Sequence, residues 1–376
     1  IKQLYSKEDE LLQVMIHQKQ DTKKWPLYSL PIYIDVYTNS GIKTQQYWSA
    51  KKLDTINIPL AQTPFLVNVD AHKSLLCKKK DRKDLKQWIY QLNHAPLWLD
   101  KKEAFDALGK SKDSAAISAI IKNMQHPFWN VKYMAIGKLE NPIKIHPERV
   151  KNLLFSLAIK DTHPKVRAAA IKALAKYFSY NDDISDVFNA ALKDSSFKVI
   201  SEVLKAVVAK DSEKGLQLAK KFEKSENATI NQTVAAVYAD YGNEHQHEFF
   251  LNTVNELTGF NKYGFLQHYL SYVIRQNNKI IDESLVVFEQ VARNGKPWYL
   301  KLSGYQILSA IQTKHENKAN ELQLEIDELK NNGKLGEVTS IEKKLNSENN
   351  RAAAIEALLK ELREEETDEN VLKYIR

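Results

Sequence analysis

Cysteine is almost missing from this chain of 376 residues: Cys77 stands alone. One thiol cannot close an internal disulfide, and it excludes a zinc site built on cysteines. It suits a reducing or an oxidising compartment equally, so localisation stays open. Glycine (11) and proline (10) are scarce, which favours long helices over a turn-rich all-β chain. No run of about 18 apolar residues occurs, so no membrane span is expected. There is no initiator Met and no signal-peptide core. Ile1 opens straight into Lys2-Gln3-Leu4-Tyr5, so the sequence is expected to be a fragment excised from a longer protein.

The motifs of common chemistries are missing too. A His-Glu-x-x-His helix would set two imidazoles on one face beside a general base. The nearest approach is His245-Gln246-His247-Glu248, whose histidines would point about 200° apart on a helix. There is no Gly-x-Ser-x-Gly elbow. Gly259 and Gly264 are spaced as in a phosphate loop, but no Lys-Ser/Thr follows them. No catalytic, cofactor-binding or metal-binding residue is therefore assigned. Carboxylate pairs are too common to be diagnostic either way.

What is present begins with charge and length. The length predicts two or more domains, and 43 % hydrophobic residues is normal for a globular chain. The net charge of +8 is dispersed. Its densest stretch, Lys73 to Lys86, sets seven basic residues against Asp81 and Asp84, and the sign reverses at Glu361–Glu369. Both runs are read as solvated surface, so no nucleic-acid partner is expected.

The first 90 residues alternate in the manner of strands. Leu12–Gln18 and Pro31–Tyr37 have period two. Asn39-Ser40-Gly41 signals a hairpin returning through Ile42–Trp48. Thr55–Ile58 and Phe65–Val69 follow, punctuated by Pro59 and Pro64. Five to seven short strands predict a small β-sandwich. At Asp84 the period changes: Leu85, Trp88, Ile89 and Leu92 form a helical stripe, and helices are expected from there to the end.

Those helices repeat. His126-Pro127-Phe128-Trp129-Asn130-Val131 aligns with Asp161-Thr162-His163-Pro164-Lys165-Val166 and with Asp194-Ser195-Ser196-Phe197-Lys198-Val199. Each is a turn, then a helix opening on a valine expected to be buried. Leu99 is expected to open an earlier copy. Alanines 168, 169, 170, 173 and 175 allow close helix approach. A period of 33–35 residues built of two helices predicts a HEAT-like α-α superhelix, in which no single unit can bury its own apolar face. His126 and His163 sit in equivalent turns and are read as capping or exposed residues.

Beyond Asp211 the repeat fades. The aromatic-rich stretch 241–272 is either core between irregular helices, the favoured reading, or a stacking surface. Two charged helices around Asn331-Asn332-Gly333 predict an antiparallel hairpin. The expected division is a β-sandwich domain at 1–92, a helical-repeat domain at 93–315, and a charged hairpin capping it at 316–376.

Trp25-Pro26-Leu27, the strand Leu30–Val36 and the preceding Val14–Gln20 resemble the β-sandwich that follows the catalytic domain of aminopeptidase N-like zinc peptidases. So do the turn at Val69-Asp70 and the helix Trp88-Ile89-Tyr90-Gln91-Leu92, of the family's Trp-x-x-Gln-Leu type. The helix Lys102–Gly109 resembles the HEAT-like helices that come next. The likeness covers residues 12–110 best and extends at the repeat level to about 210. It departs from the family in lacking the zinc helix, the downstream Glu ligand and the Gly-x-Met-Glu-Asn motif. The resemblance implies a non-catalytic C-terminal region that packs over the active-site cleft and gates peptide access. It also implies zinc in a missing upstream catalytic domain, which with peptide substrate would be the partner. A stand-alone HEAT-like protein-binding scaffold, a nucleic-acid binder, and the accessory region of a catalytically dead paralogue remain the alternatives.

Overall fold

The structure, a computed structural model, describes residues 1–178 and 182–375. It divides into two compact units, Ile1–Ala191 and Leu192–Arg376. Among the described residues no helix is long and apolar enough to cross a membrane.

The first unit opens with six strands: β1 (Lys2–Ser6), β2 (Leu11–His17), β3 (Leu30–Thr38), β4 (Gly41–Ser49), β5 (Leu53–Pro59) and β6 (Leu66–Val69). They form two antiparallel three-stranded sheets, ordered β1-β2-β5 and β4-β3-β6. The alternation seen in the sequence is the burial pattern. Leu12, Val14 and Ile16 of β2 meet Ile32, Ile34 and Val36 of β3 in one apolar core. The expected hairpin is there. Thr38 and Gly41 pair across Asn39-Ser40, and Gly41 takes φ +108°, which glycine adopts without steric cost. β1 was not foreseen; it is short and only partly buried.

β6 is buried on both faces. Val67 and Val69 point into the sandwich core, so Leu66 and Asn68 point the other way. Leu66 packs with Tyr37, Tyr90 and Ala95, which joins the sheet to the first helix, α1 (Leu85–His94). Asp84 caps α1 by accepting a hydrogen bond from Gln87 N at 2.8 Å. Among the described residues seven further helices follow in the unit: α2 (Trp98–Leu108), α3 (Ser114–Asn123), α4 (Trp129–Ile136), α5 (Glu140–Ile145), α6 (Pro147–Lys160), α7 (Pro164–Tyr177) and α8 (Asp182–Ala191). They stack as repeats do: α2 packs on α4 and α4 on α7, while α1 packs on α3.

Val131 and Val166 are the third residues of α4 and α7, and both are buried. The earlier copy requires a correction of register. Leu99 is 42 % exposed, and the third residue of α2 is Asp100, which is fully buried. A carboxylate occupies the position that valine holds elsewhere in the repeat.

The second unit holds α9 (Phe197–Lys210), α10 (Ser212–Lys220), α11 (Ala228–Tyr241), α12 (His247–Glu256), α13 (Gly259–Val273), α14 (Asn278–Asn294), α15 (Trp298–Asn331), α16 (Leu335–Glu365) and α17 (Glu369–Ile375). The sequence period fades here but the packing order does not: α9 lies on α11, α11 on α13 and α13 on α15. The backbones of α14 and α15 come so close at Gly304 that a Cβ there would lie 2.4 Å from the Ala292 nitrogen. The aromatic stretch splits. Phe249, Phe250, Phe265, Tyr269 and Tyr272 are core, whereas Phe260 is 79 % exposed. α15 and α16 are joined by a turn at Gly333, with φ +71°. Leu322 and Ile326 of α15 meet Val338 and Ile341 of α16 in the outer part of the pair. Residue 316, the expected start of a separate hairpin domain, lies inside α15.

Candidate functional site

A groove of about 590 Å³ lies in the second unit. One wall is a face of α15, where Ala310, Lys314, Asn317 and Glu321 recur at helical spacing. Leu270 and Ile274, at the end of α13, give it an apolar floor, and Asn278 and Glu348 close the far side.

Glu348 is held firmly. Asn278 Nδ2 donates to its Oε1 at 3.1 Å, and His315 Nδ1 lies 2.5 Å from its Oε2. Burial pushes the Glu348 carboxyl up. The hydrogen bonds from His315 and Asn278 outweigh that and leave it below its ordinary value. Lys314 stands beside it without an ion-pair partner among the described residues. Burial lowers its ammonium pKa, the charge of Glu348 opposes that, and Arg351 and Lys318 lower it further. The neighbouring Lys318 is already engaged, 2.8 Å from Glu321. The groove thus offers an apolar floor, amide groups and a partly buried lysine beside the charge of Glu348.

None of these residues was singled out in the sequence. One signal was there: His315 and Glu348 lie equally far on either side of the turn at Asn331-Asn332, so a predicted antiparallel hairpin already sets them opposite each other.

His247 is buried in a polar cluster of its own. Its Nδ1 lies 3.2 Å from Glu283 Oε2, and its Nε2 lies 3.0 Å from Tyr269 Oη and 3.1 Å from Ser284 Oγ. One proton arrangement satisfies every group: Nδ1–H donates to Glu283, Tyr269 O–H donates to Nε2, and Ser284 donates to the Ile280 carbonyl at 2.7 Å. The serine-histidine-glutamate order resembles a relay, but Ser284 is fully buried and no substrate could reach its hydroxyl. Burial pushes the His247 imidazole below its ordinary value, against the opposing pull of Glu283. A histidine depressed in the folded state binds its proton more readily when unfolded. Its contribution to stability is therefore whole above the unfolded value near 6.5 and is lost as pH falls below it. The ring protons of His247 should titrate by NMR with a midpoint below 6.5; a midpoint at or above that value would refute the assignment.

The basic run from Lys73 to Lys86 requires a second correction. Lys78, Lys80, Arg82 and Lys86 are exposed, but the side chains of Lys73, Lys79 and Lys83 are only 7, 13 and 0 % exposed. Lys73 Nζ sits 2.6 Å from Asp100 and 3.3 Å from Glu103, Lys79 sits 2.9 Å from Glu103, and Lys83 sits 2.7 Å from Asp81. Asn68 donates to Asp100 at 3.0 Å, and Gln91 to Glu103 at 3.2 Å. Three of the seven basic residues of an apparent surface patch thus belong to a buried network between β6, the following loop, α1 and α2. The acidic end is mixed too: Glu361 and Glu365 are exposed and clasp Arg293, but Glu366 is buried against Lys301 at 2.9 Å. His126 and His163 do cap turns, accepting from Phe128 N at 3.0 Å and Lys165 N at 3.3 Å.

No group of three or more His, Cys, Asp or Glu side chains among the described residues is placed to hold a metal ion.

Two overlapping segments of the chain, residues 85–175 and 117–204, match HEAT repeats. No curated protein sequence matches the chain. Among solved structures, a Legionella pneumophila aminopeptidase A crystallised with aspartic acid is similar over the whole of this chain and 47 % of its own, at 10 % identity and a TM-score of 0.49. The chain thus spans about half the length of that protein, and the fold it carries is a small antiparallel β region followed by HEAT-type helices.

Proposed function

We propose that this chain is the non-catalytic accessory part of an aminopeptidase-like zinc protein, contacting peptide and limiting its access to a catalytic domain elsewhere in the same polypeptide. The observation that supports this best is the helix that follows the sandwich. Trp88-x-x-Gln91-Leu92, the motif of the resemblance, falls on α1, with Gln91 and Leu92 fully buried. Gln91 Nε2 donates to the Asp100 carbonyl at 2.9 Å, while Leu92 accepts at its carbonyl from Lys101 Nζ at 2.9 Å. The motif therefore ties the end of the β region to the first HEAT-type helix pair, and the order sandwich, linking helix, repeats is that of the family's accessory region.

On this reading the chain binds and positions, and a partner domain does the chemistry. Incubated with zinc and an aminoacyl chromogenic substrate, the chain alone should show no turnover; activity that survives repurification would sink the proposal. The HEAT match by itself favours a second reading, a protein-binding scaffold. The parent gene separates the two: a His-Glu-x-x-His codon run about 150–200 residues before Ile1, roughly one domain, belongs only to the first.

A further inference from the structure

β4 has an open side. Among the described residues it pairs with β3 alone, and Gly41–Gln46 and Trp48 are exposed. The other outer strands of the sandwich are protected in the ways that sheet edges usually are. β1 is bridged by Arg82, β6 is buried, and β5 carries Asp54 and ends on Pro59. β4 has neither proline nor bulge, and Lys43 is the one charge among its 9 residues.

Pro31 fixes which backbone groups face that side. It stands opposite Trp48 and has no N–H to give, so the two cannot form a hydrogen-bonded pair. By alternation Trp48, Gln46, Thr44 and Ile42 turn their N–H and C=O groups away from β3, to the open edge. Their side chains share one face of the sheet. They pair with Pro31, Tyr33, Asp35 and Tyr37, so that face is turned away from the core of Ile32, Ile34 and Val36. On it Ile42 is 58 % and Trp48 64 % exposed.

The order of residues selects the occupant. Gln45 is the centre of Ile42–Trp48. Antiparallel pairing with a second copy, about a two-fold axis through Gln45, sets Ile42 of each copy opposite Trp48 of the other, Lys43 opposite Tyr47, and Thr44 opposite Gln46. Apolar side chain meets apolar side chain, a cation meets an aromatic ring, and a hydroxyl meets an amide. The backbone agrees with this register. Ile42 with Trp48 and Thr44 with Gln46 become hydrogen-bonded pairs, while Gln45, whose own groups face β3, falls on the axis as a non-hydrogen-bonded pair. The two Lys43 side chains stand four residues apart along the strands, about 14 Å at ~3.4 Å each, which exceeds a Debye length of about 8 Å. A slip of two residues loses both Ile42–Trp48 pairs.

We infer that β4 is the interface of a homodimer, formed by antiparallel pairing with β4 of a second copy of this chain about Gln45. The inference is independent of the reading of the chain as an accessory part.

Analytical ultracentrifugation of the 376-residue chain should show a reversible dimer. It should dissociate in the micromolar range, because the contact is smaller than a standard interface. Gln46→Pro removes an outward N–H, leaves the pairing with β3 intact, and should keep the chain monomeric at about 100 µM. Ile42→Lys combined with Trp48→Lys sets like charges opposite each other and should raise the dimer Kd about tenfold or more. Far-UV circular dichroism should be unchanged in both variants. Oxidation reads the register. With Cys77→Ser as background, Gln45→Cys brings two thiols into a non-hydrogen-bonded pair with about 4.5 Å between Cα atoms, within disulfide range, and should cross-link the dimer on a non-reducing gel. Lys43→Cys in the same background should not. A wild-type chain that stays monomeric at about 100 µM, a dimer unaffected by both edge variants, or cross-linking at position 43 rather than 45 overturns the inference.

Discussion

Replacing Asp100 by alanine should cost the first unit about 3 kcal/mol or more of unfolding free energy, the size expected when one member of a buried ion pair is removed. Asp100 is fully buried, and Lys73, 2.6 Å away, is 7 % exposed, so the lysine left behind cannot turn to water without moving β6 or the loop after it. Glu103, at 3.3 Å, still faces Lys73 and softens the loss, which sets the expectation at the lower end of the range. Asn68 loses its acceptor at the same time. The double variant Asp100→Leu with Lys73→Met should cost markedly less than the sum of the two single changes, because it removes both charges and leaves apolar atoms in their place. Urea unfolding followed by tryptophan fluorescence reports the right unit, since Trp25, Trp48, Trp88, Trp98 and Trp129 all lie in it and only Trp298 lies in the other. Strict additivity of the two single changes would show that Lys73 and Asp100 are not coupled.

Phe250→Ala should cost the second unit about 3–5 kcal/mol, the range for emptying a buried phenylalanine site. Phe250 is fully buried, and its ring stacks on Tyr272 at 4.6 Å and on Tyr269 at 4.9 Å. Both tyrosines are fixed by their hydroxyls, Tyr272 to the Asn243 carbonyl at 2.6 Å and Tyr269 to the His247 cluster, so they cannot collapse into the space. Phe260→Ala is the natural comparison. That ring stacks on Tyr299 at 4.9 Å but is 79 % exposed, and its removal should change stability by about 0.5 kcal/mol at most. Near-UV circular dichroism of the tyrosines follows this unit through urea unfolding. A loss below 1 kcal/mol for Phe250→Ala would mean that the aromatic cluster is loosely packed.

The same pair of phenylalanines shows how far periodicity carries. Both belong to one aromatic-rich stretch, and composition treats them alike. Phe250 lies on the face of α12 turned to the core, whereas Phe260 opens α13, where the chain enters its helix from Gly259 at φ +54° and leaves the ring at the surface. The fading of the repeat after Asp211 has a similar cause. The helices keep their stacking order, but the third residues of α11, α13 and α15 are Ile230, Asn261 and Leu300, so the valine that made the earlier copies recognisable is gone. Most of the groove was invisible for another reason: its walls come from α13, α14, α15 and α16, and only their packing brings Leu270, Ile274 and Asn278 to the α15–α16 hairpin.

What the amino-acid order determined by itself is everything that rests on short-range pattern. The two-residue period of the strands, the switch to helix at Asp84, the turns at Asn39-Ser40-Gly41 and Asn331-Asn332-Gly333, and the thirty-odd-residue repeat are written locally, because each depends on which side of one strand or helix a residue faces. Only the tertiary structure decided which charges are surface and which are core. Lys73 and Lys78 are neighbours in the same basic run, yet the first is buried against Asp100 and the second is solvated. A charged side chain is buried or exposed according to whether a partner from a distant element arrives to neutralise it, and no local pattern carries that information.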